Sequence, residues 1–291
     1  MKIGLGTAQF GMDYGISNCD GKTPEQEVAS ILDLASQNGI RIIDTAALYG
    51  VSEEVLGKTL PSGIDFKIVT KTPRFAKSVI VGTDAHILEE TLYRSLERLR
   101  IPSVFGLLIH HADDVLAVGG NCLIDMMQSL KVRGLVRKIG ISIYTEAQID
   151  SVLEKFDIDL IQVPINIFDQ RLLQSGHLAS AKSAGIEIHS RSAFLQGLLL
   201  MNHENIPSQL GSMKDHLKNY QETIRRMGLT PVQAALGFVL GLEEIDSVIC
   251  GVNNRAQLEE MCRSARPLEK EVFTQFAFHD ESIINPSLWK F

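Results

Sequence analysis

The sequence predicts a (β/α)8 barrel, a TIM-barrel α/β fold, on three observations. Eight short runs rich in Ile, Val and Leu recur along the chain, and each leads into a segment with helical spacing of apolar residues. The runs are continuous rather than alternating, as in a sheet buried on both faces. No linker divides the 291 residues, a length that suits one large α/β unit. An open doubly wound sheet competes, but it does not usually need eight consecutive units. Its GxGxxG dinucleotide fingerprint is also missing from the first strand–helix turn, "GLGTAQFG".

The elements follow in order. "KIGLGT" (2–7) is the first strand, and "TPEQ" (23–26) opens a helix as a capping box with proline at its first position. "IRIID" (40–44) is the second strand. Ser52 then serves as N-cap, with Glu53 and Glu54 in a first turn where the helix dipole favours them. "FKIVTK" (66–71) precedes a helix over 84–99, and "VFGLLIH" (104–110) one over 123–132. "VRKIGIS" (136–142) leads into a second capping box, "TEAQ" (145–148), and "IDLIQVP" (158–164) into a helix over 174–184. "IEIHSRS" (186–192) is followed by a helix over 208–227 and a third box, "TPVQ" (230–233). "IDSVICG" (245–251) and a helix over 254–264 complete the set. Residues 1–291 are expected to form a single domain, with a C-terminal helix and tail (about 265–291) packed on the barrel.

Composition removes several function classes. A net charge of −7 argues against a broad nucleic-acid footprint, which requires clustered Lys and Arg. The N-terminus lacks the apolar region of a secretory signal, and no run of 18 apolar residues exists. Cys19, Cys122, Cys250 and Cys262 are widely spaced without a CxxC pair and read as reduced thiols. A cytoplasmic location is expected, with no membrane partner.

In a barrel of this kind the active site lies at the C-terminal ends of the strands. Asp44, Lys71 and His110 end strands two, three and four, and Tyr49 lies in the loop after strand two. Each alone has a bland reading: a cap, a solvated lysine, a packed ring, a structural histidine. Their coincidence on successive strand ends favours chemistry. A tyrosine that donates a proton near neutral pH needs its pKa of about 10 brought towards 7. A lysine about 4 Å away supplies roughly 4 kcal/mol at an effective dielectric of 20, or about three pKa units before desolvation. Asp44 would keep that lysine charged, and His110 would bond the carbonyl oxygen. The set needs no metal.

"IDTAALYGVSEEVLG", "IVTK" and "LLIHHAD" together resemble the aldo-keto reductases, barrel enzymes that reduce carbonyls with a nicotinamide cofactor. The resemblance implies a catalytic tetrad of Asp44, Tyr49, Lys71 and His110, and it runs through nearly the whole chain. It places Gly6, Thr7 and Ala8 beside the nicotinamide ribose, and Ser142 and Gln162 at the nicotinamide amide, with Asn166 after that strand. Arg191 would stack on the nicotinamide ring, with Ser192, Phe194, Gln196 and Gly197 near the pyrophosphate. "CGVNNRAQLEEM" would bind the adenosine end through Gly251, Asn253, Asn254, Arg255, Gln257 and Glu260. Arg255 is the one cation in that stretch, so NADP(H) is favoured and NAD(H) stays open. The chain departs from the family at Ile143, where many members have Asn, and in the apparent absence of the N-terminal hairpin that closes the barrel bottom.

Substrate contacts are expected from loop and tail residues: Phe10, Tyr14, Arg74, His111, Phe168 and Trp289. The opening "GTAQFGMDYGISN" is similar to bacterial members associated with sugar metabolism and surface-polysaccharide synthesis, which points to a small carbonyl or sugar substrate. Two other readings stay open. A Schiff-base lyase would use Lys71 as nucleophile. A nucleotide-binding accessory protein would retain only vestigial reductase activity.

Overall fold

The computed structural model describes residues 1–289. Eight parallel strands close into a barrel in chain order: β1 (Ile3–Gly6), β2 (Ile42–Asp44), β3 (Lys67–Lys71), β4 (Val104–Ile109), β5 (Val136–Ser142), β6 (Leu160–Pro164), β7 (Glu187–Arg191) and β8 (Ser247–Gly251). β1 pairs with both β2 and β8, so closure leaves no edge strand within the barrel. The (β/α)8 architecture is the one the sequence predicts.

The apolar runs are continuous because each strand packs on two sides. Val69, Leu108 and Leu160, joined by Ile42 and Phe105, form a compact apolar cluster of their own. The larger core, which includes Ile43, Ile68, Leu107 and Ile139, runs between strands and helices. Lys67 and Lys138 place their ammonium groups over the Phe105 ring at 5.2 and 5.5 Å, at the strands' N-terminal mouth. The helix Gly82–Leu99 shows how the outer layer is specified. Leu88, Leu92 and Leu96 recur every fourth residue on its buried face, and Asp84 accepts from the Val81 N–H at 3.0 Å to cap its first turn.

Several helix boundaries differ from those predicted. Thr23 does not cap the helix Glu25–Gln37; its hydroxyl donates to the Asn253 carbonyl at 3.1 Å instead. Ser52 is the first residue of the helix Ser52–Thr59 rather than its cap, and its hydroxyl is turned inward. Glu53 is buried as well, accepting from Thr70 Oγ1 at 2.7 Å and pairing with Arg98 at 3.2 Å. The predicted helix over 174–184 is two pieces, Arg171–Gln174 and His177–Ser183, divided at Gly176 with φ +79°. The segment over 208–227 starts as a 3-10 turn, Ser208–Met213, before the helix Lys214–Arg226. Beyond β8, Phe273 and Phe276 are fully buried, and the Phe278 N–H donates to the Phe168 carbonyl at 2.8 Å. Positions 290 and 291 of the predicted tail lie outside the described residues. No described helix is long and apolar enough to cross a membrane.

Candidate active site

Strand register gathers the titratable residues at one mouth of the barrel. Gly6 lies opposite both Asp44 and Gly251, and Ser142 lies opposite Gln162. Lys71 closes β3 beside Leu108, two residues before His110. All of these except Leu108 line a cavity of about 660 Å³, together with Tyr49 and Arg191. That volume falls within the roughly 300–1,000 Å³ of small-molecule and cofactor sites.

Lys71 and Asp44 form a buried pair at the floor of the cavity. Lys71 Nζ donates to Asp44 Oδ1 at 2.6 Å and to the Thr45 carbonyl at 2.9 Å, and the two side chains are 1% and 5% exposed. Gln162 Nε2 donates to the other carboxylate oxygen, Asp44 Oδ2, at 2.7 Å. The carboxylate is thereby satisfied on both sides, as a buried charge must be. Burial holds the Lys71 ammonium below its ordinary pKa, while the charge and hydrogen bond of Asp44 pull it back up. The resemblance placed Gln162 at a cofactor amide; its NH2 group here serves Asp44.

Tyr49 is set by backbone packing. Its carbonyl accepts from the Ser52 N–H at 3.0 Å, and the Ser52 hydroxyl donates to the Thr7 carbonyl at 2.9 Å, fastening this turn to the end of β1. Gly11 fits against the same turn so closely that an added Cβ would lie 1.8 Å from the Tyr49 carbonyl oxygen. The Tyr49 ring lies 5.1 Å from Lys71 Nζ and edge-on to His110, with centroids 5.9 Å apart. A lysine about 4 Å away would bring its pKa towards 7. Instead the phenol is held above its ordinary value, first by burial and then by the Asp44 carboxylate, with Arg191 opposing. Burial dominates, and Lys71, bonded to Asp44 and the Thr45 carbonyl, is paired with a carboxylate that offsets its charge.

The His110 N–H of the backbone donates to Thr72 Oγ1 at 3.1 Å, and the imidazole stacks on His111 at 4.9 Å. Burial, then the charge of Lys71, pushes the imidazole down to about 2, so it is neutral at physiological pH. Its buried Nδ1 has no partner among the described residues. Arg191 places its guanidinium 4.0 Å from the Tyr144 ring centroid, so one of its faces is covered. Its Nη2 is likewise buried and without a partner among the described residues. Tyr14, 38% exposed as a residue, lines the same cavity, and desolvation there pushes its phenol up.

Of the other residues singled out from sequence, Thr7, Ala8, Ser192, Phe194, Gln196, Gly197, Asn253, Gln257 and Glu260 line the cavity. Others do not. Phe10 is fully buried in the main core, as is Phe168, because both pack beneath the loops rather than in them. Trp289 turns back on its own segment, its Nε1 donating to the Ile283 carbonyl at 3.0 Å; Pro286 and Ser287 line the cavity from that tail. Arg74 and His111 lie outside the lining, although His111 stacks on His110. Asn166 is wholly buried and holds its own turn, accepting from the Phe168 and Asp169 N–H groups. Asn254 is an N-cap, accepting from the Gln257 N–H at 3.0 Å. Arg255 donates to the Ser30 carbonyl at 3.1 Å, away from the cavity.

Tyr144, and within the loop after β1 the residues Gly15, Ser17 and Asn18, were not singled out from sequence. Gly15, Ser17 and Asn18 line the cavity, the Ile16 N–H donates to the Gln196 carbonyl at 3.1 Å, and Asn253 Nδ2 donates to Asn18 Oδ1. The loop thus joins the ends of β1, β7 and β8. Its mix of Gly, Asn and Ser signals a loop but carries no indication of where it docks.

A closed (β/α)8 barrel with titratable side chains converging on a cavity at its C-terminal mouth defines a class of barrel enzymes. Within that class, the chain belongs to the Aldo/keto reductase family, whose profile matches residues 2–281. It is an NAD(P)-dependent oxidoreductase of a family that acts on small carbonyl compounds. It is 27% identical over 287 residues to aldo-keto reductase YhdN of Bacillus subtilis, covering 89% of this chain and 83% of that one. It is 26% identical over 305 residues to L-galactose dehydrogenase of Arabidopsis thaliana, covering 98% and 90%. Among solved structures, aldo-keto reductase AKR11C1 from Bacillus halodurans superposes with a TM-score of 0.76 at 22% identity, covering 96% of this chain and 94% of that one. Glycerol dehydrogenase AKR11B4 from Gluconobacter oxydans gives 0.73 at 21% identity, covering 94% and 90%.

Proposed function

We propose that the chain interconverts a sugar-like aldehyde or ketone and its alcohol, with Tyr49 as general acid and base and His110 orienting the carbonyl. The observation that carries this reading is the shared cavity wall. A phenol held protonated and a neutral imidazole with an unpartnered Nδ1 stand above a buried Lys71–Asp44 pair. A bound nicotinamide would supply or accept the hydride. Thr7, Ala8 and Ser142, with the loops bearing Gln196 and Asn253, are the residues that would hold it.

A phenol with a raised pKa remains a hydrogen-bond donor through neutral pH. Tyr49 therefore polarises the carbonyl oxygen first and releases its proton only as that oxygen gains alkoxide charge. Neutral His110 contributes a second polar contact without a competing charge. Lys71 remains bound to Asp44 and steadies the phenolate that Tyr49 leaves behind. The raised pKa limits proton loss before the reaction, and the lysine limits its cost during it. A sugar or polyol is supported by two relatives whose names specify L-galactose and glycerol.

The lyase alternative needs an accessible, neutral Lys71, whereas this amine is buried and bonded to Asp44 and Thr45. Borohydride with substrate should trap no covalent adduct. The deciding experiment is titration with NADH and NADPH, followed by turnover on a panel of aldehydes and aldoses. Tyr49→Phe should retain cofactor binding and lose about 10²- to 10⁴-fold in kcat. Unchanged turnover would refute Tyr49 as the acid, and failure to bind either nucleotide would sink the reductase reading. Binding without turnover in the wild type would favour the accessory-protein alternative.

A further inference from the structure

We infer that a groove beside the main cavity is a second small-molecule site, for a carboxylate that carries a short apolar tail. The groove lies between the turn at 200–202, the helix Lys214–Arg226 and the start of the helix Pro231–Leu240, and encloses about 280 Å³. That is just below the roughly 300–1,000 Å³ of ordinary ligand sites, so it suits a molecule much smaller than a dinucleotide. Leu200 and Pro231 line both the groove and the main cavity, as a shared wall. Asp44, Tyr49, Lys71 and His110 all lie on the far side of that wall.

The surfaces of the groove divide into an apolar part and a donor-rich rim. Leu200, Met201, Ile224, Leu229 and Pro231 supply the apolar part. On the rim, Gln221 is already satisfied: its Nε2 donates to the Met201 carbonyl at 2.6 Å, and its Oε1 lies 2.8 Å from His203 Nδ1. Asn202 Oδ1 accepts from the Glu204 N–H at 2.9 Å, which leaves the Nδ2 group of Asn202 without a partner among the described residues. Arg225 has no side-chain hydrogen bond or ion pair among the described residues. Its neighbour Arg226, which does not line the groove, is by contrast engaged with the Glu222 carbonyl at 3.3 Å and Thr223 Oγ1 at 3.1 Å. No aspartate or glutamate stands among the described lining residues.

The side chains of the rim therefore offer two uncommitted donors, one of them a permanent cation, and no uncommitted oxygen. A ligand that matches them brings acceptors and negative charge. An ionised carboxylate is acceptor-only, and the planar guanidinium fork can engage both of its oxygens. An alcohol of the same length would bring a donor of its own and no charge. The apolar tail would cover Ile224 and Leu229 and leave water in doing so.

The test is calorimetric titration of the full chain with hexanoate, hexanol and acetate, which vary the head group and the tail separately. Hexanoate should bind saturably with a Kd of about 1 mM or tighter, as its few heavy atoms allow. Hexanol and acetate should each bind at least about tenfold more weakly, for want of the charge or the tail. Arg225→Gln should weaken hexanoate by a similar factor. Leu229→Trp, which fills the groove without removing a charge, should abolish binding. Arg225 and Leu229 line the groove and not the main cavity, so these variants separate the two sites whether or not the main cavity takes a nucleotide. Hexanol binding as tightly as hexanoate overturns the inference, as does hexanoate binding that neither variant changes. Absence of hexanoate binding to the wild type overturns it too.

Discussion

At the residue scale, the Lys71–Asp44–Gln162 arrangement is costly to divide. Removing the cation alone leaves a carboxylate buried beside Thr45 with Gln162 as its remaining side-chain donor. Lys71→Met should therefore destabilise the fold by about 3–5 kcal/mol, and adding Asp44→Asn should recover much of that loss. Urea denaturation of the two variants measures both. His110 gives a pH signature. Its folded pKa of about 2 lies below the unfolded value of about 6.5, so in that window the unfolded chain binds a proton that the folded chain does not. Stability should fall as pH drops through the window, by up to about 1.4 kcal/mol per pH unit from this group. His110→Gln should flatten the curve when unfolding free energies are compared between about pH 4 and 6. The same neutrality removes any His110 inflection from the pH–rate profile near its ordinary pKa.

At the scale of elements, the turn that carries Tyr49 depends on its neighbour. A Cβ added at Gly11 would lie 1.8 Å from the Tyr49 carbonyl oxygen and 2.5 Å from the Ser52 nitrogen, backbone atoms that cannot rotate away. Gly11→Ala should displace the turn and lower kcat at least about tenfold, given the sensitivity of catalysis to misplacements of about 1 Å. Nucleotide affinity, measured by the same titration, should change less. Ser52→Ala should cost about 1–3 kcal/mol by leaving the Thr7 carbonyl and its neighbours short of a buried donor. This is also where legibility in sequence changes. The strands were readable because burial on two faces leaves continuous apolar runs. Asp44, Lys71 and His110 were readable because a strand end fixes where a residue faces. Ser52 was misread because a serine before two glutamates resembles a cap, and its inward hydroxyl depends on β1, which is distant in sequence. The Arg255 contact was not legible for the same reason: its partner, Ser30, belongs to another helix.

At the scale of the molecule, the cavity is assembled from most of the barrel. β1 and β2 supply Gly6 and Asp44, β5 and β6 supply Ser142 and Gln162, and the loop after β1 reaches Gln196 and Asn253. A ligand spanning these parts should stabilise them together. At about 100 times its Kd, a bound nucleotide should add about 2.7 kcal/mol to the unfolding free energy. It should also slow proteolysis in the loop over 12–22, whose backbone lies against the cavity. Tyr144 was not legible at this scale, because its place beside Arg191 arises only when β5 and β7 are brought around the same cavity.

The junction of the first and last strands has a consequence for biosynthesis. β8 is the last strand of the barrel to leave the ribosome, yet β1 needs it as one of its two partner strands, and Asn18 needs Asn253. A nascent chain that has emerged only through β7 would carry Asp44, Tyr49, Lys71 and His110 but lack the wall formed by Gly251, Asn253 and Glu260. Nucleotide capture should therefore begin only after β8 and the residues through Glu260 have emerged. A fluorescent nucleotide analogue added to arrested chains of increasing length would report the moment of ring closure.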